Sequence, residues 1–151
     1  MEKNTKASKD FDLQRFIDAQ ATCYETAIKE LKNGRKRTHW CWYIFPQIDG
    51  LGHSPKAKYY SIKSIDEAKA YLNHQILGPR LIETCKVVLS LDKDNPLDVF
   101  GSPDDLKVKS CMTLFFKASN NEIFVKVLDK YYKGEQDILT INILKKLIFS
   151  F

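Results

Sequence analysis

The sequence predicts a mainly α fold, a single compact domain of about six short helices, irregular rather than a regular bundle. Three observations predict it. Apolar residues recur at spacings of three and four along several segments. Residues that start or stop helices, such as Ser64, Gly34 and Gly134, close those segments. The segments are short and unequal, and no repeat, low-complexity run or linker divides them. A chain of 151 residues is one domain's worth and can bury roughly two thirds of its unfolded surface.

The first nine residues, "MEKNTKASK", lack an apolar signal-peptide core and read as a disordered lead-in, leaving 10–151 as the domain. Over residues 11–31, Leu13, Phe16, Ile17, Tyr24, Ala27, Ile28 and Leu31 keep helical spacing. Asp10 or Asp12 is the expected cap, and Lys32-Asn33-Gly34 the stop. "HWCWYIF", residues 39–45, is apolar almost throughout, so it is buried on all sides. It reads as a helix capped by Thr38 and ended by Pro46. "YYSIK" reads as a short extended piece. "SIDE" is a capping box, with Ser64 as N-cap and Glu67 reaching back, that opens a helix over Ile65–Asn73.

In "LGPRLIETCKVVLSL", Gly78 takes the cap and Pro79 the first turn, with Leu81, Cys85, Val88 and Leu89 inward. A short turn ends at Gly101. Ser102-Pro103-Asp104-Asp105 then joins an N-cap, a first-position Pro and two acids that favour the helix dipole. Helices over Glu122–Tyr132 and residues 137–149 complete the chain.

The helix over 103–118 is apolar on two sides. Val108, Cys111, Met112 and Phe115 share one face; Leu106 and Leu114 lie opposite, with Ser110 and Thr113. Such a helix is buried between layers. Its two hydroxyls either bond back to carbonyls one turn earlier or line a polar cavity with Lys107 or Lys109 at its mouth.

After Pro46, Gln47 sits at the exit of the aromatic run, and Gly50 and Gly52 allow positive φ. The N–H groups of this turn, with His53, Ser54 and Lys56 beside them, form a candidate anion nest. Gly-Leu-Gly is not a dinucleotide fingerprint. His39 is either a core histidine or an acid/base group in a pocket. His74 ends a helix and His53 reads as a loop residue.

The net charge of +5 permits an anionic partner without demanding one. Arg35-Lys36-Arg37 precedes the aromatics rather than alternating with them, which disfavours a single-strand nucleic-acid groove. The four cysteines, Cys23, Cys41, Cys85 and Cys111, have no Cys-x-x-Cys or zinc-ligand spacing. They read as reduced thiols of a cytoplasmic protein, and no metal or cofactor is expected. No run reaches the roughly 20 apolar residues of a membrane span.

"HWCWYIFPQIDGLGHS", "AYLNHQILGPRL", "FGSPDDLKVKSCMTLF" and "GEQDILT" together resemble the bacterial and fungal family catalogued as domain of unknown function 1810. The resemblance covers nearly the whole chain, from Phe11 to Leu144. It implies a mainly helical single domain and no particular activity. Cys41 stands where the family usually has Met, Cys111 where it usually has Ser, and Gln75 where a Pro is common. The polar positions marked in that family map to His39, Gln47, Ser54, Tyr60, Arg80, Asp104, Lys107, Ser110, Thr113, Asp137 and Thr140.

These readings converge on a spatial expectation: the turn after Pro46 faces the 103–118 helix across a concave site. Gln47, Gly50, Gly52, Ser54, Ser110 and Thr113 would bind a small, flat, nucleotide-like anion. If the ligand is turned over, His39 is the general acid/base and Lys107 stabilises negative charge. The alternative is a protein-interaction module that presents the aromatic run or the C-terminal "ILKKLIFSF". A weak nucleic-acid binder ranks third. The oligomeric state is not legible.

Overall fold

The computed structural model describes residues 11–148. Their order is α1 (Gln14–Lys32), α2 (Cys41–Ile44), α3 (Pro55–Tyr59), α4 (Ile65–Asn73), α5 (Leu77–Ser90), α6 (Pro96–Phe100), α7 (Asp104–Ser119), α8 (Glu122–Tyr132) and α9 (Ile138–Ile148). Six of these (α1, α4, α5, α7, α8 and α9) run nine residues or more, so the fold is the irregular, mainly α domain that the spacing predicts. No strand forms among the described residues. The extended piece expected at "YYSIK" is one isolated parallel bridge, in which Ile62 N donates to Gln47 O (2.8 Å) and Asp49 N to Ile62 O (2.8 Å). The lead-in at 1–9 and the end of the last helix at Phe149 lie outside the described residues.

Helix α7 is the hub, packed against α2, α4, α6, α8 and α9. Its residues 110–115 are all buried, as a helix apolar on two sides requires. Leu106 departs from that pattern: it is 59% exposed, while Asp104, Asp105 and Lys107 around it are half-buried. Two chains of rings fill the core beside α7. One runs Phe16–Tyr71–Phe115–Phe124, with centroids 5.2, 5.2 and 6.0 Å apart. The other runs Trp40–Phe45–Phe100–Tyr131, at 6.2, 5.8 and 5.8 Å. Ring pairs of this kind add roughly 0.5–1.5 kcal/mol each beyond the area they bury.

Several helix ends differ from the sequence reading. Ser64 caps α4 as expected, accepting from Glu67 N at 3.1 Å. Glu67 does not reach back to it. Its carboxylate is taken by Arg15 Nη2 (2.9 Å) and Lys63 N (2.7 Å), a stronger pairing than a cap offers. Arg15 also donates to the carbonyls of Tyr59 (2.7 Å) and Ser61 (2.7 Å), so this buried pair sews α1 to the α3–α4 connection. Leu13 takes the cap position of α1, while Asp12 offers its backbone carbonyl to Arg15, and Asp10 lies outside the described residues. The aromatic run holds one turn of helix with Trp40, not Thr38, at its cap. Gly78 lies inside the first turn of α5, where a Cβ would fall 2.0 Å from Leu72 O; the glycine lets α4 and α5 cross. Pro103, not Ser102, holds the cap of α7.

Candidate functional site

The site begins at the C-terminal end of α1. Glu30, buried there, accepts from Arg37 N (2.8 Å), Thr38 N (3.0 Å), Thr38 Oγ1 (2.6 Å) and Trp40 Nε1 (2.8 Å). Burial alone would raise this carboxyl, but the four donors outweigh it and hold the pKa down at about 2. One carboxylate therefore fixes the whole approach to the aromatic run. Trp40, Cys41, Ile44 and Phe45 then point into the core, and the turn of α2 leaves Trp42 and Tyr43 half-buried. Gln20 Nε2 fastens Tyr43 O at 2.7 Å.

Trp42 is where separate segments meet. Lys107 Nζ, from the first turn of α7, lies 4.3 Å from its ring centroid, and Lys56 Nζ, from α3, lies at 5.3 Å. Lys107 also pairs with Asp104 Oδ1 at 3.1 Å, and Lys36 takes Asp104 Oδ2 at 2.6 Å. Burial works to raise the Asp104 carboxyl, and the two lysines outweigh it and keep it low. Three ammonium groups are thus gathered around one carboxylate and one half-exposed indole. Positive charge is left over at a flat ring, an arrangement suited to an anion with a planar part.

Only part of the expected set is here. Lys107 lies at the indole, and Lys56 brings the segment after the glycine turn to the same ring. Ser110 and Thr113 face elsewhere. Ser110 Oγ donates to Leu106 O (3.0 Å) and to Asp137 Oδ2 (3.1 Å); Thr113 Oγ1 donates to Lys109 O (2.9 Å) and accepts from Asp137 N (2.8 Å). Asp137 Oδ2 also accepts from Thr140 N (3.0 Å) and Thr140 Oγ1 (2.6 Å), which caps α9 and clamps it to α7.

The turn after Pro46 also differs from a nest. Gly50 has φ +108° and packs toward Ile143 of α9, so the turn faces α9. Gly52 does not take positive φ; it is small because a Cβ would lie 2.5 Å from the Cβ of Ala57. Ser54 caps α3, accepting from Ala57 N at 3.1 Å, and Gln47 gives its carbonyl to Ile62 N. His39 is exposed, so it is not a core histidine; its carbonyl accepts from Tyr43 Oη at 3.1 Å. His74 Nδ1 accepts from the amides of Ile76 (3.0 Å) and Leu77 (3.3 Å), a role for the neutral ring, and burial lowers its pKa.

Sequence profiles place residues 10–144 in the family described as protein of unknown function (DUF1810). The chain belongs to that family. A crystal structure of the conserved hypothetical protein Rv1873 from Mycobacterium tuberculosis is similar to it, with TM-score 0.89 and 49% identity over 90% of this chain and 98% of that one. A comparison with curated proteins returned no match.

The polar positions that the resemblance marks in DUF1810 divide by what they touch. Asp104 and Lys107 meet at Trp42, whereas Ser110, Thr113, Asp137 and Thr140 form the α7–α9 clamp. Tyr60 packs edge-on against Tyr43 (5.2 Å), and Arg80 lies over Tyr24 (4.7 Å). The residues that sequence reasoning missed are Lys36 and the exposure of Trp42. Asp104 and Lys107 were a readable i,i+3 pair on one helix. Lys36, 68 positions before Asp104, is brought there by the Glu30 clasp on the residues after it and by its own amide, which donates to Val99 O at 2.7 Å. The remaining described cysteines are quiet: Cys41, Cys85 and Cys111 are buried, which pushes their thiols up. No helix among the described residues is long and apolar enough to cross a membrane.

Proposed function

We propose that the Trp42 surface binds a small anionic ligand of nucleotide or nucleoside-phosphate type. The phosphate lies between Lys56 and Lys107 and a planar group rests against the indole. The observation that carries this reading is the convergence of two ammonium groups from α3 and α7 within 5.3 Å of one half-exposed ring. Two like charges held together repel, and the contacts to the ring offset that by only about 0.5–1 kcal/mol each at a partly wet site. Asp104 neutralises one charge of the three, so an oxyanion finds unspent attraction there. If the ligand is turned over, the exposed imidazole of His39, three residues before Trp42, supplies the proton.

A thermal-shift series with nucleotides, nucleosides and sugar phosphates tests this. Ligand at about a hundred times its Kd adds roughly 2.7 kcal/mol. For a chain of this size that raises Tm by about 5–10 °C. The rise should vanish in Lys56→Ala and Lys107→Ala and fade with salt. An unchanged Tm across the series would refute the proposal.

A second reading, an interaction surface, rests on α9. Ile138, Leu139 and Ile148 are 64%, 61% and 60% exposed on a helix that buries only Thr140 and Leu144. A mass measured by light scattering that stays monomeric up to high concentration removes self-association from this reading.

A further inference from the structure

We propose a second small-molecule site in the cleft between α1 and α5, built for a compact zwitterion that carries a carboxylate and an ammonium group, as a free amino acid does. It is independent of the Trp42 surface. The cleft measures about 780 Å³ and is lined by Gln20, Tyr24, Glu25, Lys29, Arg80 and Glu83 among others. That volume is ample for a small ligand.

The polar groups are prearranged. Gln20 is 2% exposed, and its amide nitrogen is committed to Tyr43 O (2.7 Å) and Tyr71 Oη (3.0 Å). Its Oε1 is thereby turned toward Arg80, whose Nη1 donates to it at 3.4 Å. The Arg80 guanidinium lies over the Tyr24 ring at 4.7 Å. A guanidinium has five N–H donors. This long bond to Gln20 occupies one of them. A planar fork held flat on a ring with donors to spare matches the two oxygens of a carboxylate.

The opposite charge is one turn along the same helix. Glu83 is exposed, and its Oε1 accepts from the Tyr24 hydroxyl, which leaves Oε2 for a cation. Tyr24 therefore holds both ends of the site, the guanidinium on its face and the carboxylate at its hydroxyl. Burial first, and Glu83 second, push its phenol well above the ordinary range, so it remains a donor at neutral pH. A phosphate dianion would meet Glu83 and Glu25 as well as Arg80, Lys29 and Lys32. A ligand with both charges meets an opposite sign at each end.

The test is NMR titration of the ¹⁵N-labelled full chain with each common amino acid, with inorganic phosphate, and with N-acetylated amino acids. Saturable shifts are expected at the amides of residues 22–29 and 80–84 with one or more free amino acids. Acetylation should weaken binding by about tenfold or more, the scale of one charged hydrogen bond. Arg80→Lys keeps the charge but not the fork, and Glu83→Gln keeps the shape and the Tyr24 contact; each is expected to weaken binding similarly, with Tm unchanged as the check on folding. No saturable shift at these amides with any amino acid would overturn the proposal. So would equal binding after acetylation, equal binding by Arg80→Lys, or phosphate acting as well as the amino acids.

Discussion

In the middle of α7, Ser110 and Thr113 reach Asp137, and through it Thr140, in a cluster where the Ser110 and Thr113 hydroxyls each meet two partners and the carboxylate oxygen Oδ2 meets three. One turn nearer the N-terminus, Lys107 and Lys36 share Asp104, and Lys107 reaches on to a half-exposed indole that Lys56 approaches from α3. The first cluster is closed: its hydrogen-bonding capacity is spent on holding α9. The second is open, with positive charge in excess of its carboxylate. A polar residue on a buried helix thus marks a site only when some of its capacity is left over.

The largest test of that contrast is Asp137→Ala. It strands the amide and hydroxyl of Thr140 and leaves the Ser110 hydroxyl only the Leu106 carbonyl, at a cost of about 3 kcal/mol. Thermal melting should show Tm lower by roughly 6–12 °C. Asp137→Asn, which keeps one acceptor, should recover a good part of it. A loss below one degree would mean that the clamp is not closed in the sense described.

Glu30 sharpens the comparison, because its carboxylate is spent on four donors. Its pKa is depressed from 4.5 to about 2. Its contribution to stability is therefore complete above about pH 4.5 and is lost as the pH falls through 2. Urea midpoints measured between pH 6 and pH 2 should fall less steeply in Glu30→Gln, starting from a lower plateau. Parallel curves would show that the protonation of Glu30 has little part in acid unfolding.

Thr113→Val keeps the shape and strands Asp137 N, costing about 1–2 kcal/mol by denaturant titration. The smallest effect on stability belongs to the open cluster. Lys107→Met should change stability by less than about 1 kcal/mol, the scale of a partly exposed ion pair and ring contact. If it unfolds the protein as readily as Asp137→Ala, the two clusters are the same kind of object and the distinction fails.

What was legible in the sequence is what depends on near neighbours. The ranges of α4 and α8, the Ser64 cap and the two-sided burial of α7 follow from spacing and from residues within one turn. The bland reading of Ser110 and Thr113, a bond to the carbonyl one turn back, was also local and is present. What depends on distant partners was not legible. Arg15, Gln20 and Glu30 look like ordinary solvated positions on α1, yet all three are buried because Glu67, Tyr71 and Trp40 come to meet them. The exposure of Trp42 among buried neighbours depends on where one turn of α2 stops. Gly52 suggested a positive φ, and its real constraint is the methyl of Ala57, five residues on.

Glu30 and Gln20 lie ten residues apart on α1, about 15 Å along its axis. The first grips the backbone at Arg37 and Thr38, together with the Trp40 indole; the second grips the carbonyl of Tyr43. Trp42 is strung between two anchor points on one rigid rod, so it cannot swing aside like a door. Whatever docks against it meets a preset wall, and the adjustable parts are the flexible lysine stems that reach over it.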